Sequence, residues 1–396
     1  MAIKYIDQAE LSGKKVLARF DFNVPLSKDG TKKITDTSRI DSSLPTIRYL
    51  LEHGVSKLIL MSHLGRPDGK IDPKYSLEPV AQYLAETLNE EVILAEAAVD
   101  EGVKPYLDLN KAKIILLENL RFHESEENDD KDFAKKLSEY ADIYVNDAFG
   151  AAHRKHASVH AINQFFPNKA YAGFLLKSEI ESLNKVLNNP EKPFTAIIGG
   201  AKVSDKIVTI EKLLVSVDSL IIGGAMAYPF LKAQGHQVGK SLCSDEDVKL
   251  AKTLLARDKG KKIQLPIDHI TAESFEGDAV KINKVDIPEN MIGLDIGEQT
   301  LEKFHKIVKN SKTILWNGPM GLFENPKFAQ GTMSLAKMIA NSKAFSLVGG
   351  GDSVAAVNKS GEAKNFSHVS TGGGASLEYI EKGQLPGITA LKFGVN

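Results

Sequence analysis

Short apolar runs, each ending in polar residues or glycine and most leading into an amphipathic stretch, set what this chain can fold into. In the first half they fall at residues 15–20, 57–61, 113–117 and 143–145, with helix-like stretches such as 39–50, 76–88 and 131–140 around them. Strands that alternate with helices pair in parallel, because a parallel neighbour is reached only through a long crossover. In the second half the runs at 194–198, 219–222, 313–316 and 345–348 end in Gly199-Gly200, Gly223-Gly224, Asn317-Gly318 and Gly349-Gly350-Gly351. The expected class is α/β, with two doubly wound, Rossmann-like parallel sheets whose ligand loops lie at the carboxyl edges of the strands.

A chain of 396 residues exceeds one ordinary hydrophobic core, so two domains are expected. Leucine and isoleucine recur at helical spacing over 175–188 and the pattern stops at Asn189-Pro190, which predicts a connecting helix and a hinge. The boundaries that follow are 1–172 for the first domain, 173–190 for the connection and 191–375 for the second domain, with an interdomain cleft. Fifty basic residues against 51 acidic ones leave no long-range field for nucleic acid or an anionic membrane. Cys243 is the only cysteine, which excludes an intrachain disulfide and suits a reducing compartment. The first residues lack the pattern of a secretory signal, and the apolar runs fall well short of the roughly 20 residues that span a bilayer. A cytoplasmic protein is expected.

The strand ends of the first half collect Asp21 and Asn23, His63 and Arg66, Arg121 and His123, then Asn146, His153 and Arg154, while Arg39 opens a helix-like segment. One such arginine is most simply a surface residue or an ion-pair partner. Several converging on one sheet edge repel each other unless an anion fills the space, and guanidinium forks suit carboxylate and phosphate. The implied ligand is small and carries at least two anionic groups. His153, His156 and His160 lack the carboxylate or cysteine companions of a zinc site and are read as core residues or as supports behind the site's own ligands. The acidic stretch 124–130 is read as a solvated loop and helix start without a role.

In the second half the glycine loops offer backbone N–H groups at helix N-termini, where phosphate is favoured. None matches the Walker pattern or a convincing G-x-G-x-x-G fingerprint, which counts against a P-loop protein or a dehydrogenase. Lys202 and Lys206 lie four apart, so a helix opening at Gly200 would put both on one face against a phosphate chain. Asp352 is placed to cap a helix or hold one magnesium ion.

The segments Asp21-Phe22-Asn23-Val24-Pro25, Ser62-His63-Leu64-Gly65-Arg66-Pro67, Glu118-Asn119-Leu120-Arg121-Phe122-His123, Ala152-His153-Arg154, Gly199-Gly200-Ala201-Lys202-Val203, Trp316-Asn317-Gly318-Pro319 and Ser370-Thr371-Gly372-Gly373-Gly374 occur in this order from end to end of the chain. Together they resemble the phosphoglycerate kinases. The resemblance implies a glycolytic enzyme that transfers a phosphoryl group between 1,3-bisphosphoglycerate and ADP, in line and with domain closure. It implies 3-phosphoglycerate against Asp21, Asn23, Arg39, His63, Arg66, Arg121 and Arg154. It also implies ADP or ATP with Mg2+ in the second lobe: Lys202 and Lys206 on the phosphates, Gly223, Gly224 and Gly293 at the adenine, and Glu324 at the ribose. Asn317 would bind the nucleotide, and Gly350, Gly351, Asp352 and Ser353 would serve the phosphate chain, with Asp352 on the metal. Arg39 and Lys206 are the expected clamps on the phosphoryl group, helped by the Gly373 and Gly374 amides. The family further implies a monomer whose residues 376–396 return to the first lobe. Pro229 and Glu298 depart from the usual pattern and bear on local loop shape alone. The rival readings are a dehydrogenase-like α/β enzyme holding NAD and a catalytically silent scaffold on the same fold.

Overall fold

The computed structural model describes residues 2–99, 103–108, 112–258 and 261–395. These divide into one unit of Met1–Ile180 with Lys382–Asn396 and a second of Glu181–Glu381. The helix Phe174–Asn188 carries the chain from one to the other.

In the first unit six parallel strands, β1 (Lys15–Arg19), β2 (Lys57–Met61), β3 (Val92–Leu94), β4 (Ile114–Leu116), β5 (Ile143–Asn146) and β6 (Ala170–Ala172), lie in the order β3-β4-β2-β1-β5-β6. Side chains alternate between faces. Val16, Ala18, Leu58 and Leu60 therefore enter one core with Ile114 and Val145, while Leu17, Ile59 and Met61 enter the other with Ile115 and Tyr144. Burial on both faces is why these strands read as unbroken apolar runs. From β1 the chain steps outward to β2 and later returns on the far side of β1 to β5, making β1 the switch point. Arg19 pairs with Met61 on one side and with Asn146 on the other, so the loops after β1, β2 and β5 leave the sheet at one level. Ligands of open α/β sheets bind outside such a point. The segment from Lys382 belongs to this unit, and Gly387 N–H donates to Ala152 O at 2.9 Å. A Cβ at Gly387 would lie 2.5 Å from Val159 Cγ1, a spacing that demands glycine.

The second unit repeats the plan with β7 (Phe194–Ile198), β8 (Ser219–Ile222), β9 (Ile263–Gln264), β13 (Thr313–Asn317), β14 (Phe345–Val348) and β15 (His368–Val369), all parallel in the order β15-β14-β13-β7-β8-β9. Its switch point lies between β7 and β13, where Gly199 and Gly318 follow paired strands. Gly318 has φ +101°, and a Cβ there would stand 2.1 Å from Gly199 O. Beside this sheet stands an antiparallel one of β10 (His269–Ala272), β11 (Val280–Ile282) and β12 (Ile292–Ile296), in the order β11-β10-β12. The apolar-run reading did not find it, because two of its strands carry exposed or polar positions. Pro229 sits in the first turn of the helix Ala227–Ala233, where a missing N–H costs nothing, and Glu298 opens the helix Glu298–Asn310. No helix among the described residues is long and apolar enough to cross a membrane.

Candidate active site

At the first switch point the loops are tied to one another by the residues that the sequence singles out. Asp21 accepts a hydrogen bond from Arg39 Nη1 at 2.9 Å. Asn23 Oδ1 accepts from Gly65 N at 2.8 Å, and Gly65 O accepts from Arg121 Nη1 at 2.8 Å. The loops after β1, β2 and β4 are thus stitched in sequence. Arg121 stands in a tight turn, Leu120–Phe122, capped by Asn119, whose Oδ1 accepts from Arg121 N and whose Nδ2 donates to Leu64 O at 2.7 Å. Arg154 is half-buried against His153. Arg66 is exposed, without a hydrogen bond or ion pair among the described residues.

The electrostatics are those of an anion site. His63 is buried, and burial followed by the charges of Arg19, Arg121 and Arg39 pushes its pKa well below the usual imidazole range. His156 is pushed down to about 3 by burial, then by Arg121, Arg19 and Arg154. Burial also lowers Arg121, with Glu127 opposing at 3.3 Å.

Two members of this cluster are not found by reading strand ends. Arg19 closes β1 within the apolar run 15–20 and is fully buried, and a charged residue in the middle of a buried run was its signal. Glu126 corrects the reading of 124–130 as a solvated stretch without a role. The stretch forms the short helix Glu124–Glu127, and Glu126 is 0 % exposed, bonded to Ser158. Two other carboxylates of the stretch grip the same region: Glu127 faces Arg121, and Asp129 binds His160 Nδ1 at 2.7 Å.

At the second switch point Lys206 is the centre. Its Nζ donates to Gly199 O at 2.7 Å and to Asn317 Oδ1 at 2.6 Å, and Asn317 Nδ2 donates to Gly349 O at 2.8 Å. Three glycine loops are thereby joined through one ammonium group. Burial lowers the Lys206 pKa to about 8, with Asp352 and Asp205 opposing. The expected helix from Gly200 does not form. The chain turns through Val203, buried in the core, and the helix proper is Ile207–Ser216, which leaves Lys202 exposed and off any face shared with Lys206. Gly350, with φ +93°, could not carry a Cβ, which would stand 2.6 Å from Asn317 Nδ2. Gly351, Gly373 and Gly374 face open space, and Gly351 and Gly374 open helices. Ser353 is buried, its hydroxyl oxygen accepting from Gly318 N.

Beside Lys206 a cavity of 210 Å3 collects Gly200, Ala201, Gly224, Gly293, Glu324 and Asp352 among its lining. Leu242 and Phe275, each strongly exposed for an apolar side chain, line it and offer apolar surface. Gly223 lies behind Met320, whose sulfur would be 2.3 Å from a Cβ.

These two sites on two parallel sheets match known proteins over their whole length. The family model for phosphoglycerate kinase matches residues 6–383. This chain belongs to the phosphoglycerate kinase family. The phosphoglycerate kinase of Anaeromyxobacter sp. (strain Fw109-5) is 50% identical over 99% of this chain and 100% of its own. That of Borreliella burgdorferi (strain ZS7) is 49% identical over the same shares. The solved phosphoglycerate kinase from Coxiella burnetii superposes with a TM-score of 0.89 at 39% identity, covering 100% of both chains. The one from Pyrococcus horikoshii gives 0.84 at 32% identity over 99% of each. The NAD-dehydrogenase reading falls with this match.

A phosphoglycerate kinase needs a place for a base, and here Tyr228 is the lining residue that sequence reading missed. Apart from Glu324 and Asp352 it is the one polar side chain in an otherwise apolar and glycine-rich lining. Its oxygen lies against Gly293, 2.2 Å from where a Cβ would be, and it has no hydrogen-bond partner among the described residues. Its hydroxyl opens onto the cavity and is not sealed from water, so a hydrogen bond from it to a bound base is worth about 1 kcal/mol net. Tyr228→Phe should raise KM for ADP about fivefold and leave KM for the acid substrate unmoved. Equal ADP KM values in steady-state assays would remove the hydroxyl from base binding.

Proposed function

We propose that the first unit binds 3-phosphoglycerate or 1,3-bisphosphoglycerate and the second binds ADP or ATP, with the phosphoryl group passing directly between them in line. The reaction is that of the family: 1,3-bisphosphoglycerate and ADP are converted reversibly to 3-phosphoglycerate and ATP, a glycolytic transfer with a carboxyl group as acceptor. The observation that carries the division of roles is the contrast between the switch points, one lined by guanidiniums and the other by glycine loops around a single half-buried lysine.

Arg39, Arg121, Arg154 and Arg66 supply the charge for a carboxylate and a phosphate, and Asp21 and Asn23 set the loops that present them. Glu324 and Tyr228 take the ribose and base, and Gly223 and Gly224 let the backbone approach. The Lys206 ammonium and the N–H groups at Gly351, Gly373 and Gly374 take the phosphates, assisted by Lys202, Asn317, Gly350 and Ser353. The ADP oxygen is already a nucleophile, so no general base is required. Catalysis consists of positioning and of stabilising charge on the phosphoryl group, by Arg39 on one side and Lys206 on the other.

Asp352 fits a magnesium ion that is held mostly by phosphate oxygens and water. It is exposed in the first turn of the helix Gly351–Ser360, lines the nucleotide cavity and makes no hydrogen bond or ion pair among the described residues. Among those residues no group of three His, Cys, Asp or Glu offers a protein cage, and magnesium on a nucleotide needs one or two carboxylates. When bound, the ion neutralises the phosphate chain. We further infer a cytoplasmic protein, supported by the single cysteine, and a monomer, supported by the family alone.

The test couples 3-phosphoglycerate, ATP and Mg2+ to NADH oxidation through glyceraldehyde-3-phosphate dehydrogenase, omitting each component in turn. Turnover that needs all three is expected. Binding of both ligands by calorimetry without turnover would instead mark a scaffold.

A further inference from the structure

The acidic stretch that sequence reading set aside ends inside the acid site, through a run of buried hydrogen bonds. The two oxygens of Glu126 accept from Ser158, Oε1 from the hydroxyl at 2.6 Å and Oε2 from the backbone N–H at 2.9 Å. Ser158 Oγ in turn accepts from Arg19 Nε at 2.9 Å. Arg19 Nη1 donates to Phe20 O and Nη2 faces His63 Nδ1 at 3.1 Å. Arg19, Ser158 and Glu126 are fully buried, and Tyr144 locks the serine by donating to Ser158 O at 2.7 Å.

The directions of these bonds follow from what each group can do. A guanidinium only donates. The serine oxygen must therefore accept from Arg19, which turns its hydrogen toward Glu126, and His63 Nδ1 must accept from Nη2. A neutral imidazole whose Nδ1 accepts carries its proton on Nε2. The groups that face His63 agree. Arg19, Arg39, Arg121 and His156 all disfavour a second proton. Asp21 Oδ1 stands 3.9 Å from Nδ1, beyond hydrogen-bond reach, and its other oxygen is engaged by Arg39. Nε2 has no partner among the described residues.

We propose that Glu126, Ser158 and Arg19 form a positioning relay that holds His63 neutral with its proton on Nε2, so that this nitrogen donates to an oxygen of the three-carbon acid. The proposal rests on the assignment of that acid to the first unit. Glu126 also supplies the countercharge that lets Arg19 be buried, which explains a carboxylate with no surface at all. A glutamine in its place offers one acceptor end to a serine that presents two donors, so Glu126→Gln breaks the relay while keeping the shape. Ser158→Ala cuts it without removing the charge, and Ser158→Thr keeps the hydroxyl.

The experiment records nitrogen spectra of histidine-labelled protein, together with KM for both substrates. The wild-type protein should show His63 with an unprotonated Nδ1 at neutral pH. Glu126→Gln and Ser158→Ala should mix its tautomers and raise KM for 3-phosphoglycerate about tenfold, the equivalent of one lost hydrogen bond to a charged group, with KM for ATP unmoved. Ser158→Thr should restore both readouts. A wild-type His63 protonated on Nδ1 overturns the relay even if no variant folds, as do folded variants with the wild-type tautomer and KM. Loss of affinity for both substrates alike would also overturn it, since that is what a merely structural defect produces. A wild-type protein that binds no 3-phosphoglycerate but keeps the Nε2 proton would refute the function of the site and leave the relay standing.

Discussion

Turnover of the Arg39→Ala variant is expected to fall by about two to three orders of magnitude, the loss seen when one preorganised donor to a developing charge is removed. Among the arginines that the structure brings together, Arg19 and Arg121 are buried and committed to protein groups, Arg121 to Gly65 O and Glu127. Arg39 differs. It stands in the first turn of the helix Ser38–Glu52, its side chain is 35% exposed, and among the described residues that side chain has one partner, Asp21, through Nη1. The rest of its fork is available to a moving phosphoryl group. Stability should scarcely change, because a half-exposed ion pair contributes at most about 1 kcal/mol. Arg39→Lys should recover little, since an ammonium cannot reproduce the planar fork. The measurement is kcat in the coupled assay beside a thermal melt, and undiminished turnover in Arg39→Ala would take this residue out of the machinery.

What the sequence discloses about this molecule depends on how locally each feature is determined. The inner strands of both parallel sheets are legible because burial on both faces leaves few polar positions to break the run, as in Lys57–Met61, whereas the short, half-buried edge strands β3, β6, β9 and β15 are not. The arginines and glycines after them are legible because loops at a carboxyl edge are placed by the strands themselves. The antiparallel sheet is not, since Val280–Ile282 is largely exposed and takes its meaning from its partner strand. Glu126 looks solvated in sequence because its acidic neighbours are, and its burial depends on Ser158, 32 residues away. Lys202 and Lys206 show the opposite error. A spacing of four implies a shared face only where a helix exists, and the buried Val203 and the tight turn Ser204–Lys206 delay the helix until Ile207. Tyr228 stays hidden because a tyrosine in the helix Ala227–Ala233 reads as core, and Gly293, which it faces, lies on β12.

Lys206→Met should lower turnover about as severely as loss of Arg39, and it should also change how stability depends on pH. Burial lowers the Lys206 pKa from 10.5 to about 8 in the folded, ligand-free protein, while the unfolded chain keeps the ordinary value. Between those two pH values the unfolded state binds more protons than the folded one, so stability contributed by this site rises with pH across the window. For one group the slope reaches at most about 1.4 kcal/mol per pH unit. Below about pH 8 the lysine is charged in both states and the burial cost is borne in full. That cost is consistent with a phosphate site, because an ammonium held by two carbonyl-type oxygens, Gly199 O and Asn317 Oδ1, still lacks a full countercharge. A phosphate chain supplies one. Bound ATP should therefore return the Lys206 pKa toward its ordinary value and flatten the slope. Denaturant melts of wild type and Lys206→Met at closely spaced alkaline pH, with and without nucleotide, isolate the effect, since other groups titrate alike in both proteins. Parallel stability curves without nucleotide would show that Lys206 is not held as a costly half-buried cation, and a wild-type slope unchanged by ATP would separate it from the phosphate chain.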